Sequence, residues 1–189
     1  MIDDLLKPPH RSRIDGWRIA RDFVAIGNLG EQVTAQLLVN MEYQILATQD
    51  DLVGGVANIL DRPATENPED FIVIDPDGRL ITVNSKASVS SSTCRLTNGG
   101  DLKPPSLRGQ GDISYYSMRA GLISPIDGAE THGQVVKVDL MHVKAQVFEI
   151  EDDGRLTKCS PPIGVAEIVE AILNEHAGRV PPPRLEDLD

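Results

Sequence analysis

The apolar positions of the chain fall into blocks with two different periods. Between residues 28 and 41, Leu29, Val33, Leu37 and Met41 recur every four residues, and Ala35 and Leu38 widen the stripe. That spacing predicts an amphipathic helix with Asn28 as its cap. A second such stripe, Val165, Ile168, Val169 and Ile172, predicts a helix over 165–176 that Gly178 ends. Strand patterns lie between them. Phe71 to Ile74 and Leu80 to Val83 are two apolar runs joined by Pro76-Asp77-Gly78, which is turn chemistry, so they read as a β-hairpin. Tyr43 to Ala47, Gln134 to Leu140 and Ala145 to Ile150 read as three more strands. After the Asp152-Asp153-Gly154 turn, residues 155–159 are expected to pair back.

The remaining segments are less regular. A short helix is expected over 14–23, with Trp17, Ile19, Ala20 and Phe23 on its packed side, and another over 112–122. Residues 50–60 fit either state because Gly54-Gly55 weakens a helix there, and 61–67, with Pro63, read as a loop. From Ser88 to Gly111 the chain is rich in Ser, Gly and Pro, which predicts a long connection. This order predicts an α/β fold, a central mixed β-sheet flanked by helices. Residues 1–13, containing Pro8-Pro9, are expected to form an N-terminal arm. Residues 14–177 form a single domain in this reading, and 178–189, with Pro181 to Pro183, a flexible tail.

Composition narrows the class. With 189 residues, 40% of them apolar and 25% charged, the chain suits one globular domain. No run of apolar residues is long enough for a membrane helix, so no membrane partner is expected. Acidic Asp3 and Asp4 stand where an export leader is basic, so the expected location is cytoplasmic. Two cysteines, Cys94 and Cys159, make no disulfide framework, and the four histidines have no metal-site spacing. Neither a Gly-x-Ser-x-Gly elbow nor a phosphate-binding Gly-rich loop ending in Lys-Ser/Thr occurs, and Gly27-x-x-Gly30 lacks the strand that must precede a dinucleotide site.

The net charge of −11 argues against a protein that coats nucleic acid. Its distribution is uneven. Lys86, Arg95, Lys103, Arg108 and Arg119 face only Asp101 and Asp112 within 84–119, whereas 42–69 carries six acidic residues and Arg62 alone. This is either ordinary surface variation or a basic lip on an acidic body.

The hairpin concentrates candidate chemistry. A turn centred on Asp77-Gly78 brings Asp70 across from Asn84 or Ser85, and strand alternation puts Thr82, Asn84 and Lys86 on one face. An acid, an amide oxygen and an ammonium then share one end of a sheet. Such a set can hold a divalent cation through Asp70 and leave Lys86 to orient or deprotonate a water. Each residue also has a structural explanation. Asp70 starts a strand, Lys86 suits a solvated edge, and Asn28 with Glu31 fits a capping box.

Pro68-Glu69-Asp70, thirteen further residues and then Asn84-Ser85-Lys86 resemble the motif of the PD-(D/E)XK nuclease superfamily, the restriction-endonuclease-like fold. Gly27-Asn28-Leu29-Gly30-Glu31 upstream, and the strand around Val135 to Leu140 downstream, are similar to that family's element order over about 24–175. The resemblance implies a nuclease hydrolysing DNA phosphodiester bonds with Mg²⁺ or Mn²⁺. Asp70 would be the principal metal ligand, Glu31 a helix-borne acid that helps hold metal or water, and Lys86 the catalytic lysine. Asn84 stands where the family has Asp or Glu, and as a ligand it removes one negative charge from the site. Arg95, Lys103, Arg108 and Arg119 would follow the phosphate backbone of the DNA. A homodimer or a protein partner is also implied. The alternative is a nuclease-like fold without hydrolytic activity, serving as a binding or regulatory module for a partner protein. In that case the Pro-rich tail is a docking segment.

Overall fold

The structure, a computed structural model, describes residues 6–48, 70–89, 132–150 and 156–177. Among the described residues three helices, α1 (Pro8–Ala20), α2 (Phe23–Asn40) and α3 (Ala166–Ala177), accompany seven strands. The strands are β1 (Gln44–Thr48), β2 (Phe71–Ile74), β3 (Leu80–Ser88), β4 (His132–Asp139), β5 (Lys144–Ile150), β6 (Leu156–Lys158) and β7 (Ile163–Gly164). They form one mixed sheet in the order β1-β2-β3-β4-β5-β6, with β7 also paired to β5. All pairs are antiparallel except β3 with β4, which are parallel. The mixed α/β expectation holds. The described helices, however, bury their apolar stripes against one face of the sheet, where Ile14, Leu29, Val33, Leu37, Val169 and Leu173 meet Phe71, Val73, Ile81, Val83, Val136 and Val147.

The N-terminus departs from the expected arm. Pro8 and Pro9 begin α1 rather than prevent it, because the first turn of a helix has no use for their missing N–H groups. Arg11 then donates to the carbonyls of Leu140 (3.1 Å) and Met141 (3.0 Å), tying α1 to the turn after β4. Lys7 bonds Glu170 of α3 through both its ammonium (2.7 Å) and its backbone N–H, and holds that carboxyl below the usual carboxylate range. Only Ile14 is buried along α1, with Trp17 packed beside it. Ile19 and Phe23 are exposed, because Ile19 lies well around the helix from Ile14 and Phe23 falls beyond the left-handed residue Arg21 that ends α1.

The second helix starts five residues before its expected cap. Asp22 accepts the Ala25 N–H at 2.9 Å and takes the capping role, so Asn28 and Glu31 lie within the helix and form no capping box. The stripe itself is as expected: Leu29, Val33, Leu37 and Leu38 are buried.

The hairpin has the expected register, Phe71 with Val83 and Ile72 with Thr82. Its turn is organised by a residue the sequence reading did not single out. Asp75 is buried, and its carboxylate accepts the N–H groups of Asp77 (3.0 Å) and Arg79 (2.8 Å) and the Arg79 Nε (2.7 Å). Gly78, at φ 83°, supplies the left-handed step. Asp75→Ala strands these donors and is expected to cost about 2 kcal/mol of stability. The measurement is the midpoint of urea unfolding. An unchanged midpoint would show that Pro76 and Gly78 hold the turn alone.

Beyond the hairpin, β4 and β5 lie within one or two residues of their expected limits, and residues 156–158 do pair back on β5. Strand β7 was not expected. It continues along the same edge after a break in which Val147 donates to Ser160 Oγ (3.1 Å) and accepts from Cys159 N–H (2.9 Å). The segments read as 50–60, 61–67, the 112–122 helix, the 152–154 turn and the 178–189 tail lie outside the described residues.

Candidate active site at the open end of the hairpin

The ladder between β2 and β3 runs out at Asp70. Its N–H still donates to Val83 O at 3.0 Å, and its carboxylate Oδ2 then accepts the Ser85 N–H at 2.5 Å. The side chain thus replaces the next backbone partner and ties the acid to β3 beside Asn84. The sequence-based placement of Asp70 opposite Asn84 or Ser85 is what the structure shows.

Alternation along β3 sorts the neighbouring residues between two layers. Ser85 and Ala87 face α2. Thr34 Oγ1 lies 2.8 Å from Ser85 Oγ, and a Cβ built on Gly30 would meet the Ala87 Cβ at 2.3 Å. Thr82, Asn84, Lys86 and Ser88 have the opposite parity and face away from the helices. Glu31, next to Gly30 and one turn before Thr34, belongs to α2 and so to the helix layer. Asp70, Asn84 and Lys86 therefore share one face, whereas the helix that carries Glu31 lies on the other side of the sheet. The described part of the chain does not include Arg95, Lys103, Arg108 or Arg119.

The face away from the helices is not a solvated polar surface. Thr82, Gln146 and Asp139 are fully buried, and Asn84 and Lys137 are only 3% and 4% exposed. Buried polar groups are costly, so a row of them needs a reason. Some are absorbed by the fold. Gln146 donates to Ser160 O at 2.7 Å, and Asp139 accepts the N–H groups of Met141 and His142 together with the His142 ring, Nδ1 lying 2.8 Å away. The register of β3 with β4 places Lys86 directly beside Lys137, and Lys137 beside Gln146 of β5. Both lysines lie toward the carboxyl ends of parallel strands, where open α/β sheets commonly bind ligands.

Lys137 escaped the sequence reading because polar residues alternating with Val136 and Val138 look like a solvent face. The signal that finds it is the parallel pairing with Lys86, which spans some fifty residues of sequence.

Oxygen donors suited to a hard divalent cation are present: the Asp70 carboxylate and the buried Asn84 amide oxygen, with the Glu31 carboxylate on the helix. Among the described residues no group of three His, Cys, Asp or Glu side chains is placed to hold a metal by itself. Magnesium does not demand such a cage, since it keeps waters and takes further oxygens from a phosphate substrate. Among the described residues no helix is long and apolar enough to cross a membrane. No protein-family model, no curated protein and no solved structure matches the chain.

Proposed function

We propose that the chain is a metal-dependent nuclease that hydrolyses DNA phosphodiester bonds on a restriction-endonuclease-like framework. The observation that carries this reading is the convergence of Asp70, Asn84 and Lys86 on one face at the open end of the β2–β3 hairpin. The framework reading is supported by the order of helix α2, the antiparallel meander β1-β2-β3 and a following strand parallel to β3.

Asp70 and Asn84 would hold Mg²⁺ or Mn²⁺, with Glu31 assisting from the helix. When bound, the ion supplies Lewis-acid activation of the phosphate and a water of lowered pKa. The chain's own residues do the rest. The hydrogen bond from Ser85 fixes the Asp70 carboxylate against β3, so the acid needs no reorganisation to serve as a ligand. The Lys86 ammonium, held on a strand rather than a loop, places positive charge where the phosphorane oxyanion develops.

The test is incubation of plasmid and linear DNA with Mg²⁺, Mn²⁺ or EDTA, using the native chain and Asp70→Asn. Asparagine keeps an acceptor for the Ser85 N–H but removes the charge. Cleavage is expected only with metal and is expected to fall about a hundredfold or more in Asp70→Asn, since a Lewis-acid site contributes several kcal/mol to the transition state. Equal cutting by both chains, or cutting in EDTA, would remove this site from the reaction.

Asn84 favours one second reading. A neutral amide in place of a carboxylate weakens a cation site, which suits a nuclease-like module that binds DNA or a protein partner without cutting it. Metal-independent DNA binding with no cleavage in any metal would select that reading.

A further inference from the structure

A groove of about 380 Å³ opens between the three helices, large enough for several side chains of a ligand. Leu29 of α2 and Ile172 and Leu173 of α3 give it an apolar lining, and Trp17 of α1 an aromatic one. The Arg13 guanidinium lies over the Trp17 ring, 5.3 Å from its centroid. It donates to the Leu173 carbonyl at 3.5 Å and has further N–H groups to offer. The two acids on this stretch are already engaged: Asp15 with Arg18 at 3.5 Å, and Asp22 with the Ala25 N–H. Arg21, one turn on from Trp17, makes no ion pair among the described residues. In a chain of net charge −11, an apolar groove flanked by arginines is complementary to a ligand that is both apolar and acidic.

The sequence carries such a ligand beside the groove. Residues 185–189 read Leu-Glu-Asp-Leu-Asp, two leucines among three acids. Lys7 meets Glu170 and Arg13 meets Leu173, so α1 and α3 advance in the same direction and α3 ends toward Trp17 and Arg21. Only about 6 Å of helix separates Leu173 from Ala177. The seven residues 178–184 can span up to about 23 Å from there, and Pro181 to Pro183 reduce the chain entropy that docking must remove.

We propose that residues 185–189 fold back into this groove, with Leu185 and Leu188 against Leu29, Ile172 and Leu173 and the acids toward Arg13 and Arg21. The segment then staples α1 to α3 at the end opposite the Lys7–Glu170 pair. This inference is independent of the nuclease reading, because the groove lies among the helices, across the sheet from Asp70, Asn84 and Lys86.

Trp17 is the one tryptophan of the chain, so its emission reads the groove directly. The experiment compares the native full-length chain with Leu185→Ser/Leu188→Ser, in which no groove residue is changed. The double variant is expected to show red-shifted emission and stronger quenching by acrylamide. A synthetic peptide of residues 178–189 is expected to restore the native emission of that variant saturably. Adding Arg13→Gln to the variant is expected to weaken the peptide about tenfold, the loss of a charge-assisted contact. The native chain, its groove filled, is expected not to respond to the peptide. Identical emission and quenching in the native and double-variant chains would overturn the proposal. So would a native emission that changes with protein concentration, which would put the segment on a second copy. An equal response of the native chain to the peptide would also overturn it, since the groove would then be open to a separate acidic partner.

Discussion

Lys86→Ala is expected to abolish metal-dependent cleavage, by about a hundred- to a thousandfold in kcat, while the protein stays folded. Removing one preorganised positive or hydrogen-bonding group from a developing oxyanion costs about 3–4 kcal/mol in comparable sites, and that cost appears in kcat because the charge it meets exists only in the transition state. The fold loses little. Among the described residues Lys86 makes no ion pair, and it lies in the less buried half of β3. The thermal midpoint is therefore expected to hold. The measurement pairs single-turnover cleavage at saturating Mg²⁺ with a melting curve. Native kcat in a folded Lys86→Ala chain would show that the ammonium does not face the reacting phosphate. A large drop in midpoint would show that it serves the sheet. Lys86→Arg separates charge from geometry: a guanidinium keeps the charge but places its donors in a planar fork, so partial activity is expected.

The parts of this site that were legible beforehand are those set by local chemistry. Two apolar runs and a Pro-Asp-Gly turn determine a hairpin, and a hairpin determines which residues meet at its open end, so Asp70 and Asn84 could be paired by counting. Local chemistry also misled. Asn-x-x-Glu at 28–31 has the spacing of a capping box, but an Asp six residues earlier caps the helix and carries it through both positions. Pro8-Pro9 looks like a breaker until its place in the first turn is known. What no window of sequence contains is the parallel partner of β3. Residues 132–139 follow β3 by more than forty positions, and only their pairing turns Lys137 from an apparent solvent residue into a buried neighbour of Lys86. The same holds for the depth at which α2 settles on the sheet, because the contact that sets it joins two of the smallest residues in the chain.

That contact leads to the largest expected loss of stability. Gly30→Ala is expected to destabilise the fold by about 3 kcal/mol, at the upper end of what overpacking costs. The added methyl would lie 2.3 Å from the Ala87 Cβ and 3.4 Å from its Cα. Neither partner has a rotamer to change, so the helix must lift or β3 must bend. The intrinsic helix preference for alanine over glycine, about 1 kcal/mol, works the other way and is included in that net figure. The damage does not stay local. Thr34, one turn further along α2, is 2.8 Å from Ser85, whose N–H is bonded to the Asp70 carboxylate. A lifted helix stretches the Thr34–Ser85 bond and disturbs the serine that holds the Asp70 carboxylate, so cleavage is expected to fall along with stability. Ala87→Gly supplies the decisive control. Alone it is expected to cost about 1 kcal/mol through backbone entropy. Combined with Gly30→Ala it removes the colliding methyl, and the double variant is expected to be more stable than Gly30→Ala alone, giving a coupling energy of about 2 kcal/mol in a double-mutant cycle. Urea unfolding of the four chains measures it. Strict additivity would mean that α2 and β3 do not meet at these two residues, and the helix that carries Glu31 would then have no fixed distance from the sheet that carries Asp70.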